Sequence, residues 1–224
     1  MTSTVQIVAS WSGGKESCLA CYKALLDGFV VSHLLNLISV NGRRCASHGV
    51  NPGLMAAQSE AIGIPVVQRR VTWDTWEREF KEAIRGLKQM GVNGAVFGDI
   101  DIQDHRDWVE RVCSELEIDA VMPLWSRDPE QILTEFIEEG FEAIVVTTKA
   151  DIMGREWLGR RIDRAFLRDL RRLGEESGVH LCGESGEYHT LVIDGPMFKR
   201  RIEILEWEET LREGYWFLNI LKYE

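Results

Sequence analysis

The sequence predicts an α/β fold, in which a parallel sheet carries helices on both faces and is followed by a smaller α+β region. Short runs rich in Val and Ile alternate with segments of helical periodicity through the first half of the chain. Beyond it, three apolar stretches, TLVIDGP, RIEILEWEE and YWFLNILKYE, follow a helical segment and are separated by turn residues, which indicates antiparallel strands. We therefore expect one domain over residues 1–125 and a second over 126–224.

The individual elements follow from the same patterns. Predicted strands are short apolar runs, typical of strands buried on both faces, at residues 5–9, 34–40, 65–71, 95–97, 120–122 and 143–147. The helical segments between them are residues 16–26, 52–61, 73–90, 108–116 and 129–139. A longer helix is predicted over residues 155–177. Because ligands of open α/β sheets bind beyond the carboxyl ends of the strands, the loops after these strands are the informative ones.

Composition excludes several classes of protein. No apolar run approaches the roughly 18 residues of a membrane-spanning helix, and we expect no membrane partner. Five cysteines, an odd number, do not resemble a secreted disulfide framework and indicate a cytoplasmic protein. A net charge of −10 disfavours nucleic acid as a partner. The basic run at residues 159–172 interleaves arginines with acidic and apolar residues, which favours a solvated amphipathic helix.

The stretch SGGKES, Ser12 to Ser17, follows the first predicted strand and precedes the first helix. Its two glycines allow a sharp turn that brings backbone N–H groups close to an anion, and the helix adds the positive end of its dipole. A phosphate group is the ligand that such a turn favours. Neither the Walker A pattern nor the dinucleotide pattern G-x-G-x-x-G is present. An ordinary strand-to-helix turn with a serine cap is the alternative.

Several stretches together identify a family. SGGKES resembles the pyrophosphate loop of the ATP pyrophosphatases, in which Asp is usual at the position of Glu16. HGVNPGLMAAQSEAIGIP from His48, GDI at Gly98, HRDWVERVC downstream, MPLW at Met122 and GESGEYHTLVIDGPMF from Gly183 extend the likeness over essentially the whole chain. In this order they resemble the diphthine–ammonia ligase family, whose members amidate the modified histidine of elongation factor 2.

The resemblance implies a HUP-type, Rossmann-like nucleotide domain, a C-terminal substrate domain, and ATP with magnesium as cofactors. A carboxylate would attack the α-phosphorus of ATP, and ammonia would displace AMP from the acyl-adenylate. Implied ATP and pyrophosphate ligands are Ser12, Gly13, Gly14, Lys15, Glu16, Ser17, Gly98 and Asp99. Asp99 is also the implied magnesium ligand, with a helix or turn cap as its alternative.

The same resemblance implies substrate and catalytic residues. Lys15, Glu184 and Glu187 are implied catalytic residues, and the substrate set is His48, Arg106, Glu110, Trp125, Glu184, Glu187 and His189. The alternatives are a surface ion pair for Arg106 and Glu110, a solvated loop histidine for His48, and an ordinary polar hairpin for the GESGEYHT stretch.

Departures from the family pattern leave the substrate open. His105, Trp108 and Ser185 replace the usual Gln, Arg and Gly on the side that should meet the substrate. The chain could therefore amidate another carboxylate. Two other classes also stay open: a tRNA-thiolating enzyme, suggested by Cys18 and Cys21 as a C-x-x-C pair, and a nucleotide sensor without chemistry. No glutaminase domain is evident to supply ammonia, and the apolar run at residues 215–221 is compatible with a dimer.

Overall fold

Five parallel strands form the N-terminal sheet in a computed structural model that describes residues 5–42, 44, 45 and 49–224. The strands are β1 (Gln6–Ser10), β2 (Val30–Ser39), β3 (Val66–Val71), β4 (Gly94–Val96) and β5 (Asp119–Val121). Their order is β3-β2-β1-β4-β5, so the chain reverses its direction of winding at β1. That switch point opens a crevice beyond the carboxyl end of β1, where the SGGKES loop begins.

Four helices cover this sheet. They are α1 (Lys15–Leu26), α2 (Pro52–Ile62), α3 (Trp76–Lys88) and α4 (Gln103–Leu116). Side chains of α1 and α2 join one core and those of α3 and α4 join another, so both faces of the sheet are covered. The predicted α/β class with a doubly covered parallel sheet is confirmed.

Strand periodicity divides the apolar residues between the two cores. In β1, Ile7 contributes to the core under α1 and α2, whereas its neighbour Val8 contributes to the core under α3 and α4. In β4, Val96 contributes to the core under α1 and α2, and Ala95 contributes to the core under α3 and α4. Successive strand side chains point to opposite faces, so a continuous apolar run is what a sheet buried on both faces requires.

A four-stranded antiparallel sheet forms the C-terminal part. Its elements are α5 (Pro129–Glu138), β6 (Glu142–Lys149), α6 (Arg164–Ser177), β7 (Tyr188–Asp194), β8 (Ile204–Arg212) and β9 (Tyr215–Tyr223). The strand order is β7-β6-β9-β8. Glu213 and Gly214, both at positive φ, form the tight turn between β8 and β9, a geometry that matches the twist of a hairpin. The predicted antiparallel C-terminal strands are confirmed.

One core joins the two sheets. Leu19 of α1 and Leu54 of α2 belong to the same buried cluster as Phe136 of α5, Phe166 of α6 and Tyr188 of β7. The Phe166 ring packs edge-on against the rings of Trp157 and Tyr188, at centroid distances of 5.5 and 5.6 Å. The two parts therefore share apolar surface, and the position of the first sheet relative to the second is fixed by close packing.

Three helix boundaries differ from the sequence expectation. The helix predicted over residues 155–177 begins only at Arg164, because Gly159 adopts positive φ and Arg161 makes a β-bridge to Ile144 before Asp163 caps the helix. The helix predicted from residue 108 begins at Gln103, because its first turn is polar and exposed and carries no apolar period. Residues 73–75 form a separate 3-10 turn ahead of α3.

Arginines of the basic run pair with carboxylates rather than forming a cationic face. Arg160 contacts Asp169, Arg164 contacts Glu138, and Arg171 contacts Glu130. This pairing supports the interpretation as a solvated amphipathic surface. None of the helices in the described part of the chain combines the length and apolar character needed to span a bilayer.

Truncation of Phe166 tests the shared core. We expect Phe166→Ala to lower the free energy of unfolding by about 3–5 kcal/mol, because a fully buried ring leaves a cavity in the core. Urea unfolding followed by tryptophan fluorescence measures the change. Leu205→Ala, at a side chain about half exposed on β8, is the matched control and should stay within about 0.5 kcal/mol. Equal losses in both variants would contradict the burial of this ring in the core.

Candidate active site

The SGGKES loop turns sharply at Gly13, whose φ is 77°. A Cβ at this position would lie 2.5 Å from side-chain atoms of both Met55 and Gln58, so only glycine fits. Ser12 Oγ lies 3.1 Å from Ser17 Oγ, and Ser17 Oγ donates to the Gly14 carbonyl at 3.0 Å. These bonds fix the loop against the first turn of α1, whose N–H groups at Glu16 and Ser17 have no partner inside the helix.

Lys15 is buried and joins the loop to the second sheet. Its Nζ donates to the Cys182 carbonyl at 2.8 Å and lies 2.7 Å from Glu16 Oε1. The ammonium also sits 4.3 Å from the centroid of the Tyr188 ring. Burial lowers the pKa of Lys15, but the attraction of Glu16 and the other partners outweighs it, so the net pKa is raised and the charge is retained. The Lys15 backbone N–H donates to Thr190 Oγ1.

Gln58 of α2 secures the other side of the loop, and sequence reasoning missed it. Its Nε2 donates to the carbonyls of Gly13 and Val192, at 2.9 and 2.7 Å, while its Oε1 accepts from Trp11 Nε1 at 2.9 Å. The Val192 N–H donates to the Gly13 carbonyl at 2.9 Å. The available signal was a glutamine among the apolar residues of a largely apolar helix, since a fully buried amide must find partners.

A cleft of about 270 Å³ opens beside this loop. It brings together most of the predicted nucleotide residues, namely Ser12, Lys15, Glu16, Ser17, Gly98 and Asp99, with His189 of β7 and Glu184 of the turn before it. Gly98 packs on the backbone of α1, where a Cβ would lie 2.8 Å from the Glu16 carbonyl carbon. The loop after β4 can therefore approach the first turn of α1 only because position 98 lacks a side chain.

Asp99 faces the cleft and binds His105. The Nδ1 of His105 lies 3.0 Å from Asp99 Oδ1, and this hydrogen bond raises the pKa of His105. A histidine at this position thus supplies a titratable positive charge at the cleft edge. Trp108, the other departure in this segment, donates its indole N–H to Glu77 at 2.9 Å.

His180 organises the turn that presents Glu184. Its Nδ1 accepts from the N–H groups of Cys182 and Glu184, so the ring proton lies on Nε2, which donates to Asp101 Oδ2 at 3.0 Å. The buried Glu187 accepts the His180 N–H at 2.8 Å. Glu187 does not line the cleft; it lies behind the turn and holds it in place.

Glu184 and His189 have strongly shifted pKa values. Burial first, and then the nearby carboxylate of Glu16, raise the pKa of Glu184 to about 8, against the opposing attraction of Lys15. Burial, with repulsion from Lys15, lowers the pKa of His189 to about 4. At neutral pH the cleft therefore holds a protonated Glu184 and an uncharged His189.

The remaining predicted substrate residues lie elsewhere. Arg106 and Glu110 form the surface ion pair that was their alternative, with Nε and Oε1 2.5 Å apart. The guanidinium of Arg106 also packs 5.2 Å from the Trp125 ring, so these three residues form one cluster outside the cleft lining. His48 lies outside the described residues.

An apolar pocket of about 580 Å³ adjoins the cleft and shares Leu37, Trp76, Asp99 and His105 with it. Its other walls are aromatic: Trp73, Phe80, Phe97 and Trp108. Trp73 stacks on Trp76 with ring centroids 5.6 Å apart and an interplanar angle of 16°, and Trp73 remains 86% exposed. A planar apolar group can enter this pocket while a phosphate chain attached to it reaches the loop.

Cys18 and Cys21 are buried in α1 and are not paired in a disulfide. Burial raises the pKa of both thiols, that of Cys21 to about 12. A reactive thiolate needs a lowered pKa, so these residues are structural and the tRNA-thiolation hypothesis loses its main support.

The donor set of the cleft fits a magnesium–nucleotide complex. Asp99 and Glu184 both line the cleft, but the described residues contain no group of three His, Cys, Asp or Glu side chains arranged to hold a metal by themselves. Magnesium typically binds one or two protein carboxylates and completes its shell with phosphate oxygens and water. A single carboxylate such as Asp99 beside a phosphate loop satisfies that requirement.

This geometry defines a class of protein: an α/β phosphate-loop protein whose ligand cleft is closed by a second, antiparallel sheet. Family models place it more narrowly. Residues 5–120 match the diphthamide synthase N-terminal domain and residues 128–224 match the diphthamide synthase C-terminal domain. The chain belongs to the diphthamide synthase family.

Named relatives agree with this assignment. A diphthine–ammonia ligase from Danio rerio is 30% identical over 92% of this chain and 89% of its own length. The Homo sapiens ligase is 27% identical over 88% of this chain and 82% of its own, whereas the match covers only 37% of the Schizosaccharomyces pombe ligase. A solved structure described as a "predicted subunit of tRNA methyltransferase" from Methanocaldococcus jannaschii covers 86% of this chain and 97% of its own, with a TM-score of 0.42 and 15% identity.

Replacement of Gln58 tests the loop anchor. Gln58→Leu leaves the Trp11 N–H buried without its partner and removes one donor from the Gly13 carbonyl. We expect the free energy of unfolding to fall by about 2 kcal/mol and pyrophosphate to bind at least several-fold more weakly. Urea unfolding and isothermal titration calorimetry measure these effects. Gln103→Leu, at an exposed position on α4, should change neither; unchanged pyrophosphate affinity in Gln58→Leu would show that the anchor does not shape the loop.

The shifted pKa of Glu184 predicts how anion binding depends on pH. Below about pH 8 the carboxyl group is neutral, and above it the carboxylate repels an anion in the cleft. Without divalent metal, pyrophosphate should therefore bind about tenfold more weakly at pH 9 than at pH 7. Calorimetric titration of Glu184→Gln in parallel corrects for the protons of pyrophosphate itself. Identical pH profiles in the two proteins would contradict a titrating Glu184.

Proposed function

We propose that this chain is an ATP-dependent diphthine–ammonia ligase acting in the cytoplasm on elongation factor 2. The observation that carries the proposal is the phosphate loop clamped by the second sheet, in a chain whose two parts both match the diphthamide synthase family. Residues 1–125 supply the nucleotide site, and residues 126–224 complete it on the substrate side.

ATP occupies the cleft and the aromatic pocket together in this proposal. Its phosphates lie at Ser12–Ser17, where the glycines and the first turn of α1 supply N–H donors. The adenine ring enters the pocket beside Trp76 and Leu37, two of the residues that line both spaces. Magnesium, held by Asp99 and the phosphates, would neutralise negative charge on the leaving pyrophosphate.

The reaction proceeds in two displacements. A carboxylate oxygen of the substrate attacks the α-phosphorus, the bond to the bridging oxygen of the β-phosphate breaks, and pyrophosphate leaves. Ammonia then attacks the acyl carbon, a proton leaves the nitrogen, and the bond between the acyl carbon and the AMP oxygen breaks. The loop N–H groups stabilise the charge that develops on pyrophosphate in the first step.

Two kinds of residue serve this chemistry. Glu184, with a pKa of about 8, is suited in its ionised form to accept the proton from the attacking nitrogen. Lys15 and Glu187 act as positioning residues, because the first holds the loop to Cys182 and the second holds the turn that carries Glu184. His189, Arg106, Glu110 and Trp125, with His48, remain our proposed contacts to the substrate.

A related activity on a different carboxylate is the second candidate. His105 bound to Asp99, and Trp108 bound to Glu77, remodel the segment that faces the substrate. A changed substrate would leave the nucleotide chemistry intact, so both candidates predict AMP and pyrophosphate as products.

The nucleotide product tests the proposal. With ATP, magnesium, ammonium and diphthine-bearing elongation factor 2, we expect AMP and pyrophosphate in amounts that require both ammonium and the factor. Asp99→Asn should lower AMP formation on the order of 100-fold, since the cleft loses its carboxylate for magnesium. Asp107→Asn, an exposed residue on α4 that contacts Gln103, is the matched control and should be unaffected. ADP and phosphate as products would refute the adenylation mechanism.

A further inference from the structure

A further pocket lies on the far side of His189. It has a volume of about 590 Å³ and lies between the loop after β2 and the β8–β9 hairpin. Its walls include Arg44, Gly49, Arg212 and Phe217. His189 lines both this pocket and the cleft of the phosphate loop, so the two spaces meet at that side chain.

Two arginines flank one aromatic ring in this pocket. The guanidinium carbon of Arg44 lies 5.3 Å from the centroid of Phe217, and that of Arg212 lies 4.7 Å from it. Both guanidinium groups approach the same acceptor, Asn219 Oδ1, at the long distances of 3.4 and 3.5 Å. Stacking on the ring restrains both planar groups while leaving most of their N–H donors free to bind a ligand.

Neither arginine has a carboxylate partner within the described ranges, although the chain carries ten more acidic than basic side chains. Arg160, Arg164 and Arg171, at or near α6, show a different pattern, because each of these three contacts an Asp or Glu. Glu213 lines the pocket but forms no ion pair with either guanidinium there. Burial, and then repulsion from Arg212, lower the pKa of Arg44, which is the behaviour of a cationic site that lacks its anion.

In the wall of this pocket, the backbone at Gly49 packs closely against the Phe217 ring. Gly49 has a φ of 68°, and a Cβ there would lie 3.0 Å from the Phe217 ring. The Gly49 carbonyl accepts from Arg44 at 3.2 Å, so the loop that carries Arg44 is pinned beside the ring. The two guanidinium groups are thus held by backbone and ring contacts from both parts of the chain.

We propose that Arg44 and Arg212 bind a carboxylate group of the acceptor substrate, with Phe217 between them and His189 leading to the nucleotide cleft. The inference rests on the proposed ligase function, which requires a carboxylate substrate and already assigns phosphate to the SGGKES loop. Guanidinium groups bind carboxylates in a planar, two-pronged arrangement, and two of them select an anion over a neutral amide product.

The test follows the two guanidinium groups directly. In the full chain labelled with ¹⁵N-arginine, the Nε–Hε signals of Arg44 and Arg212 are assigned with Arg44→Lys and Arg212→Lys, which preserve charge. Succinate is then added at constant ionic strength. We expect both signals to shift together and to saturate, and the remaining signal in either variant to require at least about fivefold more succinate. Arg85, an exposed arginine paired with Glu82, provides the control signal and the control variant Arg85→Lys.

Two outcomes would overturn the proposal. Unsaturated shifts shared by all arginines, Arg85 included, would show only general ionic effects. Saturation of the Arg44 and Arg212 signals by pyrophosphate but not by succinate would assign the pocket to a phosphate group. Pyrophosphate binding at the amide signals of Gly13 and Gly14 is recorded in parallel on uniformly ¹⁵N-labelled protein, so a failed nucleotide site can be told apart from a failed carboxylate site.

Discussion

The buried ammonium of Lys15 is the contact on which the rest of this structure depends. A charge removed from water is tolerated only where other groups replace its hydration, and here a carbonyl, a carboxylate and an aromatic ring do so. The ring comes from β7 of the second sheet and the carbonyl from the turn before it, whereas the lysine and the carboxylate come from the first helix. The phosphate loop is therefore completed by a part of the chain that lies more than 160 residues away in sequence.

The same contact shapes the electrostatics of the cleft. Because Lys15 is already compensated, its charge is only partly available to an incoming anion, while Glu16, Asp99, Asp101 and Glu184 surround the space with carboxyl groups. The first turn of α1 then supplies most of the local attraction for phosphate. Such a cleft favours a nucleotide that arrives with its divalent cation over the free tetra-anion.

Periodicity and turn chemistry predicted most of the fold. Strands buried on both faces leave continuous apolar runs, and helices α2 and α5 begin where the helical period predicts, each behind a side-chain cap, Asn51 and Asp128. The first turn of α4 could not be predicted, because its residues are exposed and carry no period. The break before Arg164 depends on a bridge to β6, which is a contact between distant residues and leaves no local signal.

The loops that form the site could be predicted from the sequence, but the side-chain contacts that hold them together could not. SGGKES is visible as a glycine-rich segment after a strand and GESGEYHT as one that leads into a strand, and the structure brings them together. Gln58 and the Arg44–Arg212 pair were missed because their significance lies in what they contact: a carbonyl of the loop in one case, a ring on β9 in the other. The role of such polar residues can be inferred only when the residues that they contact are known.

The Gly13 carbonyl, which accepts from both Gln58 and the backbone of β7, has a consequence for the mechanics of the protein. The loop cannot keep its shape if the antiparallel sheet moves away, so any opening between the two sheets also dismantles the phosphate site. Nucleotide binding and docking of the two sheets are then thermodynamically coupled, so each stabilises the other. A bound nucleotide would slow hydrogen exchange at β7, and a loosened β7 would shorten the residence time of the nucleotide.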